Sequence, residues 1–190
     1  TVAVTPESAW SRSRIITITA TDTESGIPST GAYSFDGGST WQDGNSKEYT
    51  AAASGIIIMV KDAVGNIHTH ESITITGIDR DDPVVTITNP TEDGGFYDAD
   101  VTMTAHVEEP HLAWVKIDGE TATVDAGNNV SKSYTSEGTH AVTVEAADLA
   151  GNPEDSSAAG CSSKKSISFT IDKTAPAIGN LKWALVNDGT

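Results

Sequence analysis

The chain has 190 residues, with 27 Asp and Glu against 11 Lys and Arg, a formal net charge of −16 and a pI near 4.4. A surface so acidic repels phosphate backbones, which excludes nucleic-acid binding, and suits divalent cations or a solvated extracellular life. Sixteen Ile, fourteen Val and twenty-five Thr outweigh four Leu, and β-branched side chains of this kind fit pleated, half-buried strands rather than helices.

In chain order, alternation marks the strands. Val2 and Val4 come first, then Ile16, Ile18 and Ala20, Tyr33 and Phe35, and Tyr49 and Ala51. Ile56, Ile58 and Val60 lead into an Asp62–Asn66 turn, and Ile73 and Ile75 follow. The pattern then repeats with Val85 and Ile87, Val101, Met103 and Ala105, Trp114 to Ile117, Tyr134, Val142 and Val144, and Ile167, Phe169 and Ile171. Thr1-Val-Ala-Val-Thr-Pro6 returns as Val84-Val-Thr-Ile-Thr-Asn-Pro90, and Asp62-Ala-Val-Gly-Asn66 as Asp148-Leu-Ala-Gly-Asn152. A period of roughly 85–95 residues is domain-sized, too long for a solenoid unit. About seven short strands per copy predict an all-β chain of two tandem immunoglobulin-like β-sandwiches. Their expected limits are residues 1–81 and 82–173, with 174–190 opening a third repeat or forming a tail.

In such a sandwich the Asp62–Asn66 and Asp148–Asn152 turns are F–G hairpins at one end. Seven extra residues follow the second of them and contain Cys161, which makes this loop the expected mobile region. Cys161 is the only cysteine, so no intrachain disulfide forms, and it reads as a tolerated loop thiol. No apolar run reaches the ~18 residues of a membrane span, and no leader is visible. The segment is expected to come from a longer protein that carries its targeting or anchoring signals elsewhere.

Asp148-Leu-Ala-Gly-Asn152 followed by a strand and Asp172-Lys-Thr-Ala-Pro176 resembles the Ig-like repeats of large, Gram-positive-type bacterial cell-surface and adhesin-type proteins. The first copy departs from that pattern at Val64 and in the joint Asp79-Arg-Asp-Asp-Pro83. The resemblance implies an extracellular, non-catalytic spacer or display module at the bacterial surface. Its partners would be adjacent repeats of the same polypeptide and an unidentified protein or glycan of a host or neighbouring cell. Ser34-Phe-Asp36-Gly-Gly-Ser-Thr-Trp41 looks like an Asp-box, the hairpin element of sialidase-type propellers. A sialidase needs several boxes and an arginine cluster; with one box and three arginines, 34–41 is expected to be a structural C–D hairpin.

No catalytic pair stands out among the turn carboxylates, and the chain is expected to be neither an enzyme nor a holder of an organic cofactor. Calcium is the cation the sequence raises. Asp79, Asp81 and Asp82 at the first joint should face Glu108, Glu109 and Asp148 at the near end of the second copy, and such carboxylates repel unless a cation intervenes. A bound ion there would stiffen the joint, as in cadherin-like arrays. His68 and His70 share a strand face as a possible zinc pair, but no further ligand sits at a recognisable spacing. Lys61 and Lys116 are conceivable isopeptide donors, each alternating with apolar neighbours and so expected to face outward. Trp114 is expected in the core on the C strand, and Trp10, Phe96 and Tyr97 as plugs at the sandwich ends. The alternative function is a carbohydrate-binding accessory module of a glycan-acting enzyme, which would require coplanar exposed aromatics.

Overall fold

The computed structural model describes residues 1–157 and 161–179. Among these there is no helix, hence none long and apolar enough to cross a membrane. Sixteen strands build two immunoglobulin-like β-sandwiches with separate apolar cores.

The first contains β1 (Val2–Thr5), β2 (Arg14–Ile18), β3 (Tyr33–Ser34), β4 (Ser46–Tyr49), β5 (Ala53–Ile56), β6 (Met59–Lys61), β7 (Ile67–Thr69) and β8 (Ile73–Ile75). One layer is the antiparallel sheet β1-β2-β4, with Val2 opposite Ile18 and Arg14 opposite Tyr49. The period of two turns Arg14, Ile16 and Ile18 inward together. The facing layer is split into β3-β6-β7 and β5-β8. The alternation of Ile56, Ile58 and Val60 predicts one strand; the structure breaks it at Ile57–Ile58. The cause is the Asp-box hairpin, whose Gly37 N–H donates to the Ile57 carbonyl at 2.9 Å, while the Ile58 carbonyl accepts from His70 N–H. Only Ile16, Ile18, Phe35, Ile56, Ile58 and Ile75 form the fully buried cluster.

The second sandwich contains β9 (Val84–Asn89), β10 (Gly95–Tyr97), β11 (Val101–Glu108), β12 (Leu112–Ile117), β13 (Glu120–Thr121), β14 (Asn129–Tyr134), β15 (Gly138–Asp148) and β16 (Lys164–Ile171). Sheet β14-β11-β9 packs on the five-stranded sheet β10-β16-β15-β12-β13, in which β10 runs parallel to β16. Fourteen buried residues form its core. The ring at its centre is Phe169, fully buried, with Tyr97 and Tyr134 edge-on at 6.0 and 5.5 Å between centroids.

Trp114 does not take that place. It is 36% exposed, and Val115 and Ile117 point inward from β12 instead. Trp114 shares the outer face with Lys116, whose ammonium sits 4.6 Å from the indole centroid, so burying the indole would have buried the charge with it. Tyr97 packs against the core as expected of an end plug, but Phe96 is 79% exposed.

The F–G loop of the second sandwich is described except for its centre, residues 158–160. Its far end is pinned rather than loose: Ser163 is fully buried and donates to the Pro83 carbonyl at 2.8 Å, and Val85 N–H donates to the Ser162 carbonyl. Residues 180–190 of the expected third repeat lie outside the described residues.

Candidate functional site

The junction between the sandwiches is built outward from Arg14. Its side chain is 6% exposed. Its guanidinium donates to the carbonyls of Pro6, Ser8 (2.6 Å), Ala9 (3.0 Å), Thr76 (3.3 Å) and Gly77 (3.4 Å). A fork of five donors suits such a set of acceptors. The loop folds so tightly here that a Cβ on Gly77, whose φ is +68°, would lie 2.1 Å from the Ala9 oxygen; only glycine fits. Ser11 N–H then donates to the Gly77 carbonyl and Asp79 N–H to the Ser11 carbonyl, at 2.9 and 3.0 Å. This presents Trp10 and Arg12 on one side and Asp79 beside them.

Opposite stands the near end of the second sandwich. The Asp148–Asn152 turn is closed by its own aspartate, which accepts from the N–H groups of Ala150 (2.9 Å) and Asn152 (2.8 Å) and from the Asn152 amide (2.6 Å). Asp in this position mimics a backbone turn. Leu149 N–H donates to the His111 carbonyl at 2.8 Å, and the Asn128 amide to the Glu109 carbonyl at 2.7 Å, so the B–C and F–G loops form one surface. The first sandwich docks on it. Arg12 donates to the Asn152 side-chain oxygen and pairs with Glu154 at 3.1 Å, Asn152 donates to the Asp79 carbonyl at 3.2 Å, and Trp10 stacks on the His111 ring with centroids 3.5 Å apart. Trp10 therefore belongs to the joint, not to the end of its own sandwich.

Of the acidic residues expected at this joint, three are brought together and three are not. Asp79 Oδ2 lies 3.0 Å from His111 Nδ1, and Glu109 Oε1 lies 3.9 Å from the same nitrogen. Asp148 sits close enough to Glu109 to repel it, but its oxygens are spent on the turn. Burial, with repulsion from Asp79 and Asp148, pushes the Glu109 carboxyl above the ordinary carboxylate range. Asp81, Asp82 and Glu108 are exposed. Asp79, Glu109 and His111 offer donor atoms all within 4.8 Å of one another. That set is leaner in oxygen than the six to eight ligands calcium takes.

His111 is the residue the sequence leaves unnoticed. It follows Glu109-Pro110 in a loop, and its only signal is that this loop faces the Asp148–Asn152 turn. His68 and His70 are exposed at the other end of the molecule, where they line a cavity of about 450 Å³ with Asp22, Asp62 and Asn66. Lys61 rests over Trp41 at 4.4 Å, so neither expected isopeptide donor is buried. In the Asp-box, Asp36 accepts from Ser34 Oγ (2.8 Å), Thr40 N–H (2.9 Å) and Thr40 Oγ1. These bonds hold its carboxyl at about 2, and the element is a hairpin closed by Tyr33 and Gln42.

The first-sandwich turn repeats the second in detail. Asn66 N–H and amide donate to Asp62 at 2.8 and 2.7 Å, and Ala63 N–H to the Gly26 carbonyl at 3.0 Å. The far underside also repeats: Asp172 N–H donates to the Tyr97 carbonyl as Asp79 does to Ser11. There Phe96 and Asp98 flank the matching position that Trp10 and Arg12 flank in the first sandwich.

Residues 83–159 match the family model described as glucodextranase, domain B. Among solved structures, the chain is similar to fibronectin(III)-like modules of CbhA from Clostridium thermocellum, at 15% identity over 96% of this chain and 100% of that one, with a TM-score of 0.42. A putative membrane anchored protein from Corynebacterium diphtheriae aligns at 15% identity over 90% of this chain and 52% of its own, with a TM-score of 0.30. The Bacteroides ovatus mixed-linkage glucan utilization protein SGBP-B, solved with a mixed-linkage heptasaccharide, aligns at 14% over 86% and 42%, with a TM-score of 0.23. No curated protein matches the chain significantly. The second sandwich is thus, over residues 83–159, similar to domain B of glucodextranase.

Proposed function

We propose that this chain is a non-catalytic pair of Ig-like accessory modules in an extracellular, carbohydrate-associated bacterial protein, where it holds neighbouring segments at a set distance and angle. The observation that carries the reading is the match of residues 83–159 to glucodextranase domain B. The joint supports the positioning role. A flexible tether needs only a Gly- or Ser-rich linker, whereas here a stacked ring pair, an ion pair and the buried Asn152 cross between the sandwiches. Small-angle scattering tests this. The unaltered chain should give one narrow end-to-end distance, and the Trp10→Ala, Arg12→Ala double variant a broader distribution; identical profiles would oppose a fixed spacer.

Direct glycan binding is the second reading, and Trp114 is the exposed ring that favours it. Among the described residues the geometry offers it no partner. Phe96 lies on the same sheet opposite Thr170, which pairs with Thr139, while Trp114 pairs with Ala147. Eight residues along β15 separate those positions by ~27 Å at about 3.4 Å per residue, beyond adjacent sugars. A glycan array should retain no ligand; a hit lost on Trp114→Ala would move the assignment to a binding module.

A further inference from the structure

We propose that Asp79, Glu109 and His111 form a binding site for a divalent transition metal, zinc above all, tying the joint to the second sandwich. The site stands apart from the spacer reading, whose scattering test is run without metal.

Three observations converge. The first is spacing. Zinc binds nitrogen and oxygen at about 2.0–2.2 Å, which puts tetrahedral donors roughly 3.3 Å apart. His111 Nδ1 lies 3.0 Å from Asp79 Oδ2 and 3.9 Å from Glu109 Oε1, distances that bracket this value.

The second is charge. Asp79, Glu109 and Asp148 lie at the joint, and the Glu109 side chain is only 3% exposed. Among the described residues no Lys or Arg forms an ion pair with any of the three, and Arg12 is spent on Asn152 and Glu154. Among the described residues the side-chain carboxylate of Glu109 has a single protein donor, the His111 N–H at 2.7 Å. Buried charges are paired or coordinate metals, and one imidazole cannot offset three carboxylates.

The third is orientation. Trp10 stacks on the His111 ring face, and Leu149 N–H holds the His111 carbonyl. The ring is thus fixed by its face, with the in-plane Nδ1 directed at Asp79 Oδ2, 3.0 Å away, where a metal would take the place of the hydrogen-bonding proton. Outer contacts of this kind set ligand geometry. A nitrogen donor with two carboxylates and an open fourth position for water suits zinc, whereas calcium takes a shell of oxygens.

The test is calorimetric titration of zinc into chelator-stripped protein, for the unaltered chain and for His111→Gln, Asp79→Asn and the His68→Ala, His70→Ala double variant. The unaltered chain should take up one zinc. Each ligand variant should weaken it by more than the roughly 10–100-fold lost with an outer-shell partner. The His68/His70 variant should bind normally, and equimolar calcium should not displace the zinc. Unchanged affinity in His111→Gln, loss of binding in the His68/His70 variant, or displacement by equimolar calcium would each overturn the site. Cobalt in the unaltered protein gives a readout independent of folding in the variants. Visible absorption of a tetrahedral nitrogen–oxygen site is expected, and its absence, or a thiolate band from Cys161, would also overturn the proposal.

Discussion

The two sandwiches solve the same structural problem with opposite chemistry. At the first inward position of the B-type strand the second has Val101, part of a core of fourteen buried residues. The first has Arg14 there, under a ring of backbone carbonyls, with six residues in its buried cluster. Burying a full aliphatic or aromatic side chain contributes about 1.5–3 kcal/mol, so the second unit holds most of the apolar stabilisation. The first offsets its smaller core with polar scaffolds, the Arg14 ring and the Asp-box, and with a flank laid on its neighbour. What it gains is shape: the Arg14 ring is what presents Trp10 and Arg12 to the joint.

This contrast can be broken at three points. The largest effect is expected from Phe169→Ala, which empties the centre of the second core and should cost about 3–5 kcal/mol. Urea unfolding followed by tryptophan emission would measure it; a cost below 1 kcal/mol would mean the apolar core is not what holds that unit. Arg14→Met should come next, at about 2–3 kcal/mol, because it leaves carbonyls without donors in a part-buried loop that can relax towards water. It should also loosen the joint in scattering, which Phe169→Ala has no reason to do while the protein remains folded. The smallest effect concerns Asp36. Its carboxyl, bonded chiefly by Thr40, sits at about 2 against an ordinary 3.8. A group whose folded value is depressed stabilises above its unfolded value and loses that contribution as pH falls through the folded one. The thermal midpoint of the unaltered chain should therefore exceed that of Asp36→Asn at pH 6, and the gap should close between about pH 4 and 2. A gap independent of pH would assign the hairpin's stability to its backbone alone.

Most of the architecture was legible because period-two alternation is a local signal. Ile16 and Ile18 or Val142 and Val144 declare their face without reference to anything distant. Arg14 was legible in principle too: it lies in phase with Ile16 and Ile18, and an arginine on the buried face demands partners. Trp114 shows where the signal turns ambiguous. Trp-Val-Lys-Ile has apolar residues on both faces, and Lys116, two residues on, decides which face meets water. The broken strand at Ile57 and the role of His111 lay out of reach for another reason. Each depends on a contact with chain distant in sequence, the Asp-box Gly37 in one case and Asp79, 32 residues away, in the other. The joint's acidic character was visible in composition; which carboxylates converge was settled by loop geometry that no local pattern encodes.

The two undersides carry a further consequence. Trp10 and Arg12 on the first sandwich correspond to Phe96 and Asp98 on the second, so the aromatic ring is kept and the charge is reversed. The docking face on the second sandwich offers Glu154 and the buried Asp148, which welcome arginine and repel aspartate. The second unit's underside would therefore bring like charge to this seam. In a chain of two related units, where inter-domain misassembly is a hazard during folding, that single reversal disfavours the swapped pairing.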